Sequence, residues 1–423
     1  MAHPEPVEAD PALSKRWLSI VGIGADGVNG LGMGARDLIA NAEIVFGGTR
    51  HLALAAPLIR GRSRPWPSPF SRAASEVMAL RGRRVCVLAS GDPFFYGVGA
   101  TLASHVLPEE TEVMPAPSAF SLAAGRLGWA IADTVLVSVH GRALDRIRPH
   151  LHPDARILAL TSDACGPAAL AKLLTEIGFG GSRLTVLEAL GGENERVRMA
   201  SANDFGLADI AALNILAIEV LADQRARILA YTPGLDDALF EHDGQITKRE
   251  IRAVTLSSLA PTRGQLLWDV GAGSGSVAIE WMLADPSLRA IALEADSSRA
   301  ARIERNALAF GVSDLDVVHG TAPEALAELP SPDAIFVGGG GGSAGVLETC
   351  IDRLRPGGRL VVNAVTLETE SELTARHAAF GGSLARIAVS RADSVGKKTG
   401  WRSAMPVTQW TWTKPWNEPW EKT

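Results

Sequence analysis

Three short apolar runs in this chain each end abruptly on glycine: WLSIVGIG over residues 17–24, VCVLASG over 85–91 and LLWDVG over 266–271. A run of that length bounded by turn residues reads as a buried parallel strand that delivers a loop, because both of its faces are covered. Between such strands lie helical stretches, at 119–127, 168–177, 277–283, 298–310 and 322–329. Strands that alternate with helices specify an α/β protein. The 423 residues exceed the roughly 250–300 at which one core stops growing, so two domains are expected. The boundary is placed near residue 225, where the strand-like NILAIEV of 214–220 gives way to polar residues and then to Tyr231, Thr232, Pro233 and Gly234.

In the C-terminal half the third run opens a tight loop of Gly271, Ala272, Gly273, Ser274 and Gly275, succeeded by the apolar stretch 277–281. Strand, glycine loop and helix in that order let backbone amides approach a ligand closely at a helix N-terminus. A second strand, 291–293, ends at Glu294, about 20 residues past the loop, where a carboxylate can accept hydrogen bonds from both hydroxyls of a ribose. That spacing serves dinucleotide and S-adenosylmethionine sites alike. Beyond the strand the chain continues with EAD, then GTAPE at 320–324, DAIFV at 333–337 and LRPGGRLVV at 354–362. The order resembles the class I S-adenosylmethionine methyltransferases, and the resemblance implies that Glu294 holds the ribose and that Ala322 lies near the adenine. Many nitrogen methyltransferases carry an (N/D)-P-P-Y loop after the fourth strand; here Gly338 to Gly342 offers amides and space instead, which suits a bulky anionic acceptor.

Upstream, Pro233-Gly-Leu-Asp-Asp and the segment 242–250, HDGQITKRE, resemble the opening signature of the decarboxylating half of precorrin-6Y methyltransferases. By that resemblance Thr247 covers the cofactor. Read without it, 246–259 is an amphipathic helix capped at Thr247, with Glu250 completing a capping box. The match runs from about 231 to 369 and takes in VNAVTLET at 362–369.

In the N-terminal half Gly22, Gly24 and Gly27 satisfy G-x-G-x-x-G, but no helix plainly opens at the third glycine, so a nicotinamide site is weakly indicated. Ser90, Gly91, Asp92 and Pro93 begin an SGDPFFYG loop after the strand 85–89, and Pro117, Ser118 and Ala119 open PSAFSLAAGRLG. Together they resemble the tetrapyrrole methylase family, whose G-D-P loop and P-x-S segment shape an S-adenosylmethionine site between two α/β lobes. His140-Gly-Arg142 and the GGENE of 191–195 add similarity to its precorrin-6Y branch. Asp92, taken alone, is a turn residue beside Pro93.

The fold expected is therefore α/β: a two-lobed tetrapyrrole methylase domain over 16–224, followed by a Rossmann-like class I methyltransferase domain over 230–413. The resemblance implies two S-adenosylmethionine sites per chain, bounded by Gly22, Gly24, Gly91, Asp92, Pro93, Ser118 and Ala119 in one domain and by Thr247, Gly271 to Gly275, Glu294 and Ala322 in the other. It implies methylation of precorrin-6Y at carbon 5 by the first domain, and at carbon 15 by the second with loss of the carbon-12 acetate carboxyl, giving precorrin-8. A homo-oligomer is expected, a tetramer through the C-terminal domain being the family's pattern.

In-line methyl transfer disperses charge, so positioning and exclusion of water matter more than an acid or base. No catalytic residue is named, and His51, His140 and His319 are taken as structural or solvent-facing. The many carboxylates of a tetrapyrrole call for arginine, for which Arg142 and Arg249 lead, with Arg126 and Arg252 as further candidates. A formal charge of -6 argues against nucleic acid as a partner. Cys86, Cys165 and Cys350 form no C-x-x-C pair, so neither a disulfide framework nor a metal is expected and a cytoplasmic setting fits. No run of about 18 apolar residues predicts a membrane span. Residues 1–15 have no apolar segment of a secretory signal and read as a frayed tail; the Trp-rich stretch 410–420 is ambiguous, a docked tail or subunit contact on one reading and a disordered end on the other. Two other readings stay open: a methyltransferase with another small-molecule or macromolecular acceptor, and a binding role with one cofactor site degenerate.

Overall fold

A computed structural model of the chain describes residues 16–416; the tail before Arg16 and the end of the Trp-rich stretch lie outside the described residues. The described residues form two compact units, 16–144 with His152–Arg227, and Asp145–Leu151 with 228–416. The second unit thus takes in a short stretch that the sequence reading leaves inside the first.

Unit one holds two five-stranded sheets. The first comprises β1 (Leu18–Ile23), β2 (Ile44–Gly47), β3 (Arg62–Pro65), β4 (Val85–Ser90) and β5 (Thr111–Met114), in the order β3-β2-β4-β1-β5, parallel throughout. Its central strands bury side chains on both faces: Leu18, Ile20, Phe46 and Val87 on one, Val21, Ile23, Val45 and Leu88 on the other. That is why they read as uninterrupted apolar runs. The second sheet comprises β6 (Val135–Ser138), β7 (Arg156–Leu160), β8 (Arg183–Glu188), β9 (Arg196–Ser201) and β10 (Asn214–Glu219), ordered β6-β7-β10-β8-β9. Only β6 and β7 are parallel; β7, β10, β8 and β9 pair antiparallel. Helix Ala119–Leu127 is capped by the Ser118 hydroxyl, which accepts from the Ser121 amide, and ends at Gly128 with φ 67°. It packs Phe120, Ala123 and Ala124 onto this second sheet.

Unit two is built on one seven-stranded sheet: β11 (Leu266–Val270), β12 (Arg289–Glu294), β13 (Asp316–His319), β14 (Ala334–Val337), β15 (Arg359–Ala364), β16 (Ser383–Ile387), then a separate hairpin of β17 (Ser390–Val395) and β18 (Lys398–Ser403), and β19 (Val407–Thr413). The order is β13-β12-β11-β14-β15-β19-β16, with β19 alone antiparallel to both of its neighbours. The order reverses between β11 and β14, the topological switch point at which open α/β sheets hold ligands. Trp410 and Trp412 of β19 are buried, so that part of the Trp-rich end is a strand of the sheet.

Two local expectations fail. Residues 322–329 form no α-helix, only the 3-10 turn Glu324–Leu326; Pro323 has no amide to give, and Leu326 is already fully buried, so the segment docks after one turn. Thr247 does not cap the next helix, which starts at Arg249 after Lys248 with no side-chain cap. The Thr247 carbonyl is instead taken by the Arg252 guanidinium.

Candidate functional site

In unit two the carboxyl ends of the parallel strands open on a cavity of about 680 Å³. Gly271 and Gly273 stand in the left-handed region, with φ 70° and 60°. A Cβ on Gly271 would lie 2.7 Å from the Gly339 carbonyl oxygen, and one on Gly273 2.9 Å from that of Gln245. Only glycine fits either the dihedral or the space. The amides of Gly271 and Ala272 both donate to the Leu293 carbonyl at 3.0 Å, tying the loop to the end of β12. One residue further along that strand, Glu294 is 6% exposed. Its Oε2 accepts from the Gly273 amide at 2.8 Å and its Oε1 from the Asp296 amide at 3.1 Å, so the carboxylate is fixed at the cavity wall with lone pairs left over.

Beneath the loop, Asp269 of β11 is 1% exposed. Its Oδ2 accepts from the Ala278 amide of the following helix at 3.0 Å, while Oδ1 and the buried Ser274 hydroxyl have no partner. Burial pushes the Asp269 carboxyl up to about 7, with the negative charge of Glu294 adding to the rise and the Ala278 hydrogen bond opposing it. A glycine cradle and a fixed ribose-type acceptor at the cavity wall fit a nucleoside such as S-adenosylmethionine. Thr247, Gly271, Ala272, Gly273, Glu294 and Ala322 all line this cavity. Ser274, wholly buried, and Gly275, with φ 75°, lie outside the lining and turn the chain into helix Ser276–Ala284.

In unit one a smaller cavity of about 190 Å³ is lined by residues of both lobes, among them Gly24, Gly91, Ser118 and Ala119. Gly91 has φ 58°, and its carbonyl accepts from the Ala116 amide at 3.2 Å. Gly22, Asp92 and Pro93 are outside the lining. A Cβ on Gly22 would sit 1.9 Å from the Gly91 oxygen, so this glycine allows the loop to pass. The Asp92 carboxylate accepts from the Phe94 amide at 2.8 Å, shaping the turn that presents Phe95 and Tyr96 to the cavity. Tyr96 holds φ 58°, a conformation that strains any non-glycine residue.

The arginines divide. Arg142 is exposed and outside the lining of the smaller cavity, 5.8 Å from the centre of the ring of Tyr96, which does line it. Arg126 is engaged by both oxygens of Glu195, at 2.5 and 3.1 Å. Arg249 is exposed and outside the lining of the larger cavity. Arg252 is no substrate grip: fully buried, it pairs with Glu280 at 2.6 Å and Asp237 at 3.0 Å, donates to the carbonyls of Thr247 and Leu235 and packs over Phe240. Glu280 in turn accepts from the amides of Gly234 and Leu235, at 2.6 and 3.0 Å. The Pro-Gly-Leu-Asp-Asp motif is thereby anchored to the domain core. The cavity residue missed by sequence reasoning is Arg391, on β17, which lines the larger cavity and is paired with Glu250. Among the histidines, His140 meets the Thr161 carbonyl at 3.1 Å and His319 that of Ala295 at 3.0 Å; burial pushes His51 down to about 4, so it is neutral at pH 7.

Two families match the chain: Tetrapyrrole (Corrin/Porphyrin) Methylases over residues 18–205 and the precorrin methyltransferase domain over 238–414. A Sinorhizobium protein named precorrin-6Y C(5,15)-methyltransferase [decarboxylating] is 60% identical over 96% of this chain and 98% of its own length. One of the same name from Mycobacterium tuberculosis is 42% identical over 93% and 99%. Among solved structures, the C-terminal domain of precorrin-6Y C5,15-methyltransferase from Rhodobacter capsulatus is 47% identical, covering 44% of this chain and all (100%) of that one, with a TM-score of 0.42.

Proposed function

The chain belongs to the precorrin-6Y C(5,15)-methyltransferases (decarboxylating), and we propose that it methylates precorrin-6Y at carbons 5 and 15 and releases the carbon-12 acetate carboxyl as carbon dioxide, giving precorrin-8 in cobalamin biosynthesis. The observation that carries the reading is the pair of glycine-built cavities, one in each unit, in a chain that two methyltransferase families cover in tandem. On this reading there are two S-adenosylmethionine sites per chain. The N-terminal domain, 16–224, transfers to carbon 5, and the C-terminal domain, 230–413, transfers to carbon 15 and decarboxylates.

S-adenosylmethionine supplies an electrophilic methyl group when bound. The chain's contribution is to fix that methyl in line with a nucleophilic meso carbon and to keep water out. In the larger cavity Glu294 accepts from the ribose hydroxyls, Gly271 and Gly273 let the backbone close on the ligand, Ala322 flanks the adenine and Thr247 covers the cofactor. In the smaller one the loop through Gly24, Gly91, Ser118 and Ala119 takes the same part, with Gly22, Asp92 and Pro93 shaping it from behind. Arg142 reads a substrate carboxylate at the smaller cavity. Assembly into a homo-oligomer through the C-terminal domain is supported by the exposed Val395 and Trp401 of the hairpin. A cytoplasmic setting is supported by three free cysteines; among the described residues no helix is long and apolar enough to cross a membrane.

The test is mass spectrometry of precorrin-6Y incubated anaerobically with the full chain and methyl-labelled S-adenosylmethionine. Two labelled methyls and one lost carbon dioxide are expected. Gly271→Val, which fills the larger cavity's cradle, should abolish decarboxylation, whereas a variant that still decarboxylates refutes the division of labour. Cofactor binding by the wild-type chain with no change in substrate mass refutes the substrate.

A further inference from the structure

The larger cavity has two halves, set by the order of the strands that feed it. Gly271, Gly273 and Glu294 come from the ends of β11 and β12 on one side of the switch point. Asn363, Val389 and Val407 come from the other side. There the end of β15 lies beside the start of β19, with Asn363 opposite Gln409, and the end of β16 meets the same strand, with Ile387 opposite Val407. A nucleoside held by Glu294 occupies the first half, so the acceptor must enter the second.

The hairpin β17–β18 leaves the sheet at the end of β16 and returns at the start of β19, and it carries Arg391 to this second half. The cavity lining contains three cationic side chains, Lys248, Arg299 and Arg391. Arg299 belongs to the nucleoside half and is engaged by Asp243 at 2.9 Å. Lys248 is drawn toward Asp237 at 3.9 Å. The polar floor of the acceptor half is satisfied within itself: the Asn363 side chain donates to the Thr255 hydroxyl, and Gln409 donates both to that hydroxyl and to the Asn363 Oδ1. Of the three, Arg391 alone is carried by the hairpin that joins the strands of the acceptor half, and its partner is the Glu250 carboxylate in the first turn of helix Arg249–Leu259.

We propose that Arg391 is a specificity-determining residue that exchanges Glu250 for a peripheral carboxylate of the tetrapyrrole, fixing the macrocycle over the methyl donor in the C-terminal cavity. The inference rests on the function proposed above. Both side chains of the pair are about half exposed, at 50% and 43%, and an ion pair at that exposure holds the fold together only weakly, so breaking it leaves the domain intact. A guanidinium meets a carboxylate with two parallel N–H donors, which orients a planar ligand as well as attracting it. Glu250 occupies the guanidinium until the acceptor carboxylate displaces it.

The experiment uses the full chain with precorrin-6Y and saturating S-adenosylmethionine, reading carbon dioxide release against substrate concentration, with cofactor affinity measured by calorimetry. Arg391→Ala should raise KM for release about 10- to 100-fold, the loss expected of a charge-assisted contact, while cofactor Kd stays within twofold. Arg391→Lys should recover part of that loss, since charge returns without the planar fork. Glu250→Gln should lower KM, and adding it to Arg391→Ala should change nothing further. An unaltered KM in Arg391→Ala overturns the proposal. So does an equal rise in KM for Glu250→Gln and Arg391→Ala, which would make the pair a clasp for the hairpin. A wild-type chain that releases no carbon dioxide refutes the proposed function itself, and this inference with it.

Discussion

Replacing Glu294 by Gln tests the cofactor reading at a single atom pair. The carboxylate is held by the Gly273 and Asp296 amides at 2.8 and 3.1 Å, so its position does not depend on the ligand. In the variant one oxygen remains, while the new NH2 is forced toward a backbone N–H that needs an acceptor. A hydrogen bond to a charged acceptor contributes about 1–1.5 kcal/mol more than one to a neutral acceptor, so two ribose hydroxyls together lose about 2–3 kcal/mol, or about 30- to 150-fold in Kd. Calorimetric titration of the full chain should resolve two S-adenosylmethionine sites in the wild type. In Glu294→Gln one should weaken by that factor, and the other, in the N-terminal domain, should keep its affinity and serve as the internal control for folding. Weakening of both sites together, or of neither, refutes the assignment of Glu294 to the ribose.

The raised Asp269 carboxyl carries a pH signature. Because burial lifts it to about 7, from about 3.9 in an unfolded chain, the folded state keeps a proton that the unfolded state has released, and this group's contribution to stability falls as pH rises between about 4 and 7. Asp269→Asn should flatten the stability difference between pH 5 and pH 8 by on the order of 2–3 kcal/mol, read from urea unfolding by tryptophan fluorescence; an unchanged difference would show that Asp269 is ionised in the fold. Arg252→Met strands Glu280 and Asp237 without their cation and should destabilise the C-terminal domain by about 3–5 kcal/mol, lowering its Tm by about 10 °C; a shift under 2 °C, as a rough threshold, would mean that the pair is offset elsewhere.

What could be read from the sequence was what the backbone itself demands. Gly271, Gly273 and Gly91 have positive φ and approach other main chain to within 3.0 Å of a would-be Cβ. Such positions leave a letter in the sequence that no other residue can supply. Glu294 was legible for a related reason, since a strand of fixed length places its last residue at the sheet edge beside the loop. The strands β1, β4 and β11 were legible because burial on both faces leaves unbroken apolar runs.

Side-chain pairing left no comparable trace. Arg252 and Glu280 are 28 residues apart, and Arg391 and Glu250 are 141 apart. Nothing local to either arginine separates one that closes a core from one that faces a cavity. Both sit in polar, charged neighbourhoods, yet Arg252 is fully buried while Arg391 is half exposed. The difference is made by what the fold brings opposite them. Arg252 meets two carboxylates and two carbonyls with every donor group engaged, an arrangement whose disruption leaves buried charge behind. Arg391 meets one carboxylate at the rim, where water can replace either partner, so a substrate carboxylate can take the place of Glu250 at little cost to the fold. Arg391, proposed above to bind the acceptor, thus differs from Arg252 in how much of its guanidinium the fold satisfies, and that difference exists only once the sheet has set the register of its neighbours.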